Sequence, residues 1–213
     1  MVTNVFLPSP YGLEKYVYRL GRGLSRKGWG VVVVTWDQEG NLPPLEEVDG
    51  ITVIRFRVRR GRLMTLRYLL MLFITLFSVL RRWKVDVFHV HDVLSVLPVR
   101  FFSHVLRKPV LLTVHVLSME RGAQANIRGF FGLLQKLALH RLWVVVVSGA
   151  IEKGIKEFSP SVQIVTKIPT PVETEKFREK AQMRREKIVL FVGHHAPRKG
   201  PQLLIEGIPK ILE

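Results

Sequence analysis

The run Val31-Val32-Val33-Val34-Thr35 is a continuous series of β-branched residues near the start of this 213-residue chain. A strand buried on both faces of a sheet has such a composition, whereas a strand with one solvent face alternates apolar and polar residues. The preceding segment, Glu14–Lys27, carries apolar residues at helical spacing and ends in a basic residue followed by Gly28, as helices commonly do. The pattern therefore predicts a helix that leads into a fully buried, parallel-type strand.

The same alternation of elements continues outward along the chain. Further strands are predicted at Val2–Phe6, Gly50–Arg55, Val85–Val90, Val110–Val114, Leu142–Val147 and Gln163–Ile168. Helices are predicted at Leu63–Trp83, Leu94–Leu106, Arg128–His140 and Ala150–Phe158. This order indicates an α/β fold with a Rossmann-like, doubly wound, mostly parallel sheet. Ligands of such sheets bind beyond the carboxyl ends of the strands, which directs attention to Gly12, His91, His115 and Ser148.

Composition excludes several classes of protein. A hydrophobic fraction of 47% excludes a disordered or fibrous chain, and the absence of cysteine excludes disulfides, thiolate zinc sites and a cysteine nucleophile. We expect a cytoplasmic location and, because asparagine is scarce, a thermophilic source. We expect neither a signal peptide nor a membrane span, because the longest apolar run, Leu69–Leu80, is about two-thirds of the ~20 residues required. The net charge of +16 points to a phosphate-bearing partner.

The composition shifts after Val172. Residues 1–172 are expected to form the Rossmann-like domain, and the charged residues 173–187 a connector. Residues 188–213 begin a second domain, with a strand predicted at Ile188–Gly193 and a helix from about Gln202. Because no further strand follows in the sequence, this second domain is expected to be truncated.

Several short motifs occur in a specific order along the chain. They are Gly12–Val17, Asp86–Asp92, Lys108–His115, Val147-Ser148, Ile168-Pro169, Phe191–Gly193 and Pro197–Gly200. In this order they resemble the amino-terminal half of glycosyltransferase family 4. Members of that family are retaining enzymes of the GT-B fold, in which two Rossmann-like domains face a cleft. The resemblance implies transfer of a hexose from a nucleotide sugar to a sugar or lipid-linked acceptor.

The resemblance also implies roles for residues after the strands. It places Gly12, His91 and Asp92 in the lining of the cleft on the acceptor side, and it makes His115 the catalytic residue. A neutral imidazole there could orient a sugar hydroxyl or stabilise developing charge, with a purely structural histidine as the alternative. A glycine at position 12 lets backbone N–H groups approach a ligand, and a plain turn glycine is the alternative. Ser148 is expected to cap the following helix.

The second domain begins with two adjacent cations beside a helix start, which suits a diphosphate leaving group. The resemblance implies that Lys199, with Arg198, contacts the donor diphosphate. His194 stands where the family has an arginine, and it lacks the guanidinium fork. The paired glutamates of the family's donor domain are missing from residues 188–213, so the chain is expected to be inactive alone. No cofactor and no metal are expected, because no Asp-x-Asp site is found.

Arginines bracket the apolar segment 69–77. Arg55, Arg57, Arg59, Arg60, Arg62 and Arg67 precede it without an acid among them. An apolar helix with basic ends suits an anionic membrane surface, and a core helix with a basic rim is the alternative. The residues predicted to contact the membrane are Arg59, Arg60, Arg62, Arg81, Arg82 and Trp83.

Other functional classes compete with the transferase interpretation. Basic charge alone favours a nucleic-acid binder, but no recognition sheet, helix-turn-helix or zinc pattern supports one, and we expect no nucleic-acid partner. A non-catalytic half that binds membrane or acceptor and recruits a separate donor-domain chain stays open. So does a nucleotide-sugar epimerase, because the fold does not determine the chemistry.

Overall fold

The structure is a computed structural model that describes residues 1–9, 12–115, 130–172, 188–193 and 199–212. The chain divides into two compact units, Met1–Val172 and Glu173–Glu213, and each is described by itself. The predicted connector, residues 173–187, lies outside the described residues, so the predicted domain boundaries stay a prediction.

The first unit is built on one eight-stranded sheet. Its strands are β1 (Val2–Thr3), β2 (Val31–Asp37), β3 (Leu45–Val48), β4 (Ile51–Arg57), β5 (Phe88–Val90), β6 (Val110–Val114), β7 (Trp143–Val146) and β8 (Gln163–Lys167). They lie in the order β3-β4-β2-β1-β5-β6-β7-β8, and every neighbouring pair except β3 with β4 is parallel. The predicted α/β, mostly parallel sheet is confirmed. Because the strand order reverses between β1 and β5, a crevice is expected at the carboxyl ends of these two strands.

The described helices agree closely with the predicted ones. They are α1 (Gly12–Ser25), α2 (Met64–Arg82), α3 (Val96–Leu106), α4 (Phe130–Leu139), α5 (Gly149–Phe158) and α6 (Pro201–Leu212). The strand predicted at Val2–Phe6 is shorter, because the Thr3 hydroxyl donates a hydrogen bond to the Val5 carbonyl at 3.0 Å and turns the chain out of the ladder. The first two residues of the helix predicted at 128–140 lie outside the described residues.

The edge strand β3 was not predicted from the sequence. It follows two prolines and carries Glu46 and Glu47 between its end residues, a pattern that suggests a loop. It pairs antiparallel with β4 across the two-residue turn Asp49-Gly50, whose φ values are 50° and 77°, and Asp-Gly is a common hairpin turn. Glu46 also forms an ion pair of 2.5 Å with the buried Arg55 of β4. Charged, short edge strands also resist pairing with another chain.

The helices lie on two different core clusters. Helix α1 packs Tyr16 and Val17 against Val31, Val33, Ile51 and Val53, whose side chains point to one face of the sheet. Helices α2, α3, α4 and α5 contribute to a larger cluster that includes Val34, Phe56, Val90, Leu112 and Val144. The alternation of Val33 and Val34 between the two clusters shows why the continuous valine run is needed, since each face of β2 is covered.

Helix α2 is long and apolar enough to span a membrane by length and composition alone, although no span was predicted from the sequence. An 18-residue window of its 19 residues has a mean hydropathy of 1.6, and only 22% of that window is buried. The sequence prediction considered only the run Leu69–Leu80 and left out the helical residues on either side of it. Length and composition suffice for a span, but Tyr68, Leu72, Leu76 and Val79 are buried in the core of the first unit.

In the second unit, the strand predicted at Ile188–Gly193 is wrong, because residues 188–193 form neither strand nor helix. Val192 is 84% exposed. The apolar composition suits a strand, but a strand needs a neighbour for its backbone groups, and none is present among the described residues of this unit. The helix predicted from Gln202 is confirmed and begins one residue earlier, at Pro201.

Candidate functional site

A pair of histidines lies where the strand order reverses. His91 follows β5 and His115 follows β6, and their Nδ1 and Nε2 atoms, respectively, are 3.1 Å apart. Such a contact needs one N–H donor and one acceptor, so both rings cannot carry a second proton and keep the bond. His91 is buried, and its Nε2 has no hydrogen-bond partner among the described residues. The contact commits Nε2 of His115 and leaves its Nδ1 for other partners.

Three further side chains complete this histidine cluster. The Nε2 atom of His89 lies 2.7 Å from the Thr113 hydroxyl, and the His89 ring stacks on His91 with centroids 4.3 Å apart. The ring of Tyr16 from α1 meets the His115 ring edge-on, with centroids 4.4 Å apart. We use the name histidine cluster for Tyr16, His89, His91, Thr113 and His115. The cluster holds the His115 ring between an aromatic edge and a hydrogen-bonded partner.

Burial keeps these imidazoles neutral. It lowers the pKa of His115 to about 4 and, with smaller contributions from nearby positive groups, that of His89 to about 3. The pKa of His91 is lowered well below its usual value, first by burial and then by His89 and His115. Burial raises the pKa of Tyr16, and the Thr113 side chain opposes this in part. At neutral pH the cluster therefore offers neutral hydrogen-bonding groups, not cations.

Asp92 lies beside the cluster, but its carboxylate is already engaged. Oδ1 accepts from the Ser95 backbone N–H and Oδ2 from the Ser95 hydroxyl, each at 2.8 Å. The Ser95 hydroxyl also lies 2.7 Å from the Tyr68 hydroxyl of α2. Burial raises the pKa of Asp92 despite hydrogen bonds from Ser95, Asn4 and Leu94. The arrangement shapes the loop between β5 and α3 that carries His91.

Gly12 is the first residue of α1 and is exposed. A Cβ atom built on it would meet no atom within 4 Å, so packing in the described structure does not require glycine. Two residues further on, Glu14 is 1% exposed, and its Oε1 accepts a hydrogen bond from the Ser9 hydroxyl at 2.8 Å. Its Oε2 has no partner among the described residues. A carboxylate at this helix start complements the helix dipole.

The predicted diphosphate contacts are only partly described. Lys199 is exposed and lies two residues before α6, and Gly200 between them has a φ of 68°. The Gly200 carbonyl accepts from the Leu203 and Leu204 N–H groups, as expected where proline starts a helix. His194 and Arg198 lie outside the described residues. Among the described residues, no group of three or more His, Cys, Asp or Glu is arranged to hold a metal ion.

The arginine-rich segment separates into internal and external members. Arg55 is buried in its pair with Glu46, and Arg57 pairs with Asp37 at 3.2 Å. The arginines predicted to contact a membrane are all exposed: Arg59, Arg60, Arg62, Arg81 and Arg82. Trp83 is half-buried and packs against the core.

The sequence predicted the role of Ser148 correctly but did not indicate that Tyr16 and Thr113 belong to the site. Ser148 is the N-cap of α5, and its hydroxyl accepts from the Ile151 N–H at 3.3 Å, which confirms its predicted role. Tyr16 was counted only as an apolar helical position, and Thr113 was not considered. Thr113 lies two residues after Leu111, the residue that pairs with His89 in the parallel ladder, so its side chain lies on the same face as that of Leu111. This alternation is a signal that could have indicated the contact with His89.

Comparisons with known proteins bear on the whole first unit. Residues 11–156 match the family profile of the glycosyl transferase 4-like domain, a range that covers more than half of the chain and includes α1, His91 and His115. An uncharacterized glycosyltransferase of Methanocaldococcus jannaschii is 26% identical over 95% of this chain and 56% of its own length.

Solved structures of sucrose-phosphate synthase from Thermosynechococcus elongatus share the fold. One has a TM-score of 0.76 at 19% identity and covers 99% of this chain and 60% of its own. A second structure of that protein has a TM-score of 0.54 at 19% identity and covers 83% of this chain and 91% of its own. This chain therefore spans a little over half the length of the curated relative and of the first structure.

Proposed function

Because this chain belongs to the glycosyl transferase 4-like family, we propose that it is the acceptor-side part of a retaining glycosyltransferase. The transferred group is a hexose, the donor is a nucleotide sugar, and the acceptor is a sugar or a lipid-linked sugar. The observation that carries this proposal is the hydrogen-bonded pair of neutral imidazoles, His91 and His115, at the point where the strand order reverses.

The roles of the two histidines follow from their contacts. His115 would donate or accept one hydrogen bond through Nδ1 to a sugar hydroxyl, because its Nε2 already bonds Nδ1 of His91. His91 would act as a positioning residue that selects the tautomer of His115, as a second hydrogen bond commonly does for a histidine in a site. A neutral hydrogen-bonding side chain that is already oriented stabilises the charge that develops during glycosyl transfer, because it does not have to reorient as the reaction proceeds.

The start of α1 suits a hydroxyl better than a phosphate. The buried carboxylate of Glu14 lies in the first turn of α1 and counters the positive end of the helix dipole that would otherwise attract an anion. Open space around Gly12 leaves room for an uncharged sugar to approach the backbone. We therefore assign Gly12 to the acceptor, whereas His91 and Asp92 act behind it: His91 positions His115, and Asp92 holds the loop that carries His91.

Lys199, with Arg198 and His194, is assigned to the donor diphosphate, where positive charge meets the charge that develops on the leaving group. We place the protein in the cytoplasm, on the inner face of a membrane, because nucleotide sugars are soluble donors and the acceptor we propose is held by lipid. Neither a cofactor nor a metal is part of this proposal.

The experiment that tests the proposal uses the natural polypeptide in which this chain occurs and measures its release of nucleoside diphosphate from a panel of nucleotide sugars, with and without lipid-linked sugar acceptors. The His115→Ala variant should lower turnover roughly a hundredfold, since one hydrogen-bond donor to the transition state is lost. His91→Asn should shift the pH dependence of turnover as well as its rate, which a merely structural role would not do. Turnover that is unchanged in His115→Ala would contradict the assignment.

A second candidate is a non-catalytic half that binds acceptor and recruits a separately encoded donor-domain chain. The intact mass of the natural polypeptide in its source cells separates the two: a much heavier protein supports one two-domain enzyme. A natural protein of this length that binds acceptor without releasing nucleoside diphosphate supports the recruiting half.

A further inference from the structure

Helix α2 carries two apolar stripes on opposite faces. The inner stripe, Tyr68, Leu72, Leu76 and Val79, is buried in the core. The outer stripe repeats at the same three- and four-residue spacing and is exposed to solvent: Leu66 62%, Leu70 56%, Ile74 47% and Phe77 52%. A surface helix of a soluble protein has polar residues on its outer side, so the outer stripe of α2 needs a partner.

The apolar surface continues onto the two neighbouring helices. Phe73 of α2 packs against Phe101 of α3 with ring centroids 5.2 Å apart, and Arg100 of α3 donates to the Ala138 and His140 carbonyls at the end of α4. These contacts hold the three helices side by side. We define the outer apolar face as the exposed apolar residues that they present: Leu66, Leu70, Ile74, Phe77, Phe101, Val105, Leu133 and Leu137.

The three helices that form the outer apolar face carry charges of one sign. Helices α2, α3 and α4 contain no aspartate or glutamate. The exposed Arg59, Arg60 and Arg62 precede α2, and the exposed Arg81 and Arg82 end it, with the Arg81 guanidinium 5.9 Å from the centre of the Phe77 ring. An apolar surface with arginines at both ends of α2 and no carboxylate on its three helices complements the phosphates and acyl chains of an anionic bilayer.

We propose that the outer apolar face docks on the surface of an anionic lipid bilayer, with α2 lying in the plane of the interface. If α2 spanned the bilayer, its inner stripe would have to leave the core. If α2 docks on the surface, the inner stripe stays in the core and the outer stripe contacts lipid. The arginines before and after α2 contact lipid phosphates. The biological purpose of this docking rests on the proposed function, because docking would bring the domain to a lipid-linked acceptor. The observations on the outer apolar face do not depend on glycosyl transfer.

Co-sedimentation of the full chain with lipid vesicles tests the inference. The probes are vesicles of phosphatidylcholine with and without phosphatidylglycerol, at low and high salt, and no donor is present. The wild-type chain should bind the anionic vesicles and lose binding as salt rises, because exposed charges are screened. The Leu70→Glu/Phe77→Glu variant should lose about a hundredfold in binding, since two apolar insertions become repulsive charges.

Matched variants separate the surface from general effects. Trp29→Glu/Leu45→Glu changes two side chains that are 57% and 52% exposed and lie outside the outer apolar face, and it should bind as the wild type does. Arg81→Glu/Arg82→Glu should lose about twentyfold or more. Its control, Arg26→Glu/Lys27→Glu, makes the same charge change just after α1 and should lose far less. Far-UV circular dichroism checks that each variant is folded.

Three outcomes would overturn the inference. The first is a wild-type chain that does not bind anionic vesicles, and the second is equal binding by the Leu70→Glu/Phe77→Glu variant and its control. The third is a chain that is dimeric without lipid, becomes monomeric in that variant, and never sediments with vesicles, which would assign the face to a second copy. If the wild-type protein binds vesicles but releases no nucleoside diphosphate, the proposed function is contradicted and the membrane inference is not.

Discussion

The histidine cluster and the outer apolar face depart from the usual distribution of residues in opposite directions. The cluster buries polar groups: His91 is 3% exposed and Thr113 is fully buried. The outer apolar face does the reverse, with Leu66 62% exposed. A buried polar group costs free energy unless it is hydrogen-bonded, and an exposed apolar surface costs free energy unless a partner covers it.

The difference between the two regions lies in how each cost is met. Within the cluster, hydrogen bonds and ring contacts satisfy most of the polar atoms inside the chain itself. On the outer apolar face, no described residue covers the exposed side chains, and we propose that a lipid bilayer does. In this chain the buried polar groups therefore indicate a site that the fold itself forms, and the exposed apolar groups indicate a surface that we expect a partner to cover.

The two stripes of α2 give the largest expected effect. Leu72→Ala should lower the free energy of unfolding by about 3 kcal/mol, because Leu72 is fully buried and truncation leaves a cavity. Leu70→Ala, at a position that is 56% exposed, should change it by less than about 0.5 kcal/mol. Urea denaturation measures both values. A large loss in Leu70→Ala would show that the outer stripe is covered within the chain.

The pH dependence of stability tests the cluster. The pKa values of His115 and His89 in the folded chain, about 4 and about 3, lie below the ordinary value of 6.5. Between these values the unfolded chain therefore binds more protons than the folded chain. The free energy of unfolding should therefore fall as the pH decreases from 6.5 to 4, by up to about 1.4 kcal/mol per pH unit for each of the two histidines. In His115→Gln the fall should be smaller, measured against the same variant at pH 8. An unchanged slope would contradict the burial of the imidazole.

Two buried threonines form a matched pair for the next effect. Thr113→Val removes the hydroxyl that lies 2.7 Å from Nε2 of His89 and should lower the free energy of unfolding by about 1 kcal/mol. Thr35 is equally buried, but its hydroxyl has no partner among the described residues, so Thr35→Val should be neutral or stabilising. Thermal and urea denaturation compare the two. Equal losses would mean that the His89 contact contributes nothing specific.

The smallest effect on stability is expected at Gly12. A Cβ atom there meets nothing within 4 Å, so Gly12→Ala should change the free energy of unfolding by less than about 0.5 kcal/mol. If the acceptor approaches this turn, the added methyl should weaken acceptor binding about tenfold. Calorimetric titration with the acceptor separates the two results. Normal acceptor binding by a stable Gly12→Ala variant would remove Gly12 from the site.

Much of the fold could be predicted because it depends on local periodicity. The valine run of β2, the buried stripe of α1 and the Ser148 cap all carry signals within a few residues of sequence. The edge strand β3 was missed because its composition is charged, although the turn Asp49-Gly50 is a local signal for a hairpin with β4. The strand expected at Ile188–Gly193 failed for the converse reason, since apolar composition does not supply a neighbouring strand.

The candidate site divides in the same way. Sequence motifs indicated His91 and His115 because each directly follows a strand. They did not indicate that these two rings bond each other, that Tyr16 covers one of them, or that Asp92 is committed to Ser95. The two ring contacts join elements far apart in the chain, so no local pattern records them. The hydrogen bond from Ser95 to Asp92 spans only three residues and was overlooked.

The sequence by itself determined the order of strands and helices, the family and the excess of positive charge, because each is a property of composition and short-range spacing. Only the tertiary structure decided which polar groups converge in the histidine cluster and which stripe of α2 faces solvent. Both stripes are apolar, and hydrophobicity alone cannot distinguish them. The choice is made by packing, since Tyr68, Leu72, Leu76 and Val79 are the residues that contact the sheet and its neighbouring helices.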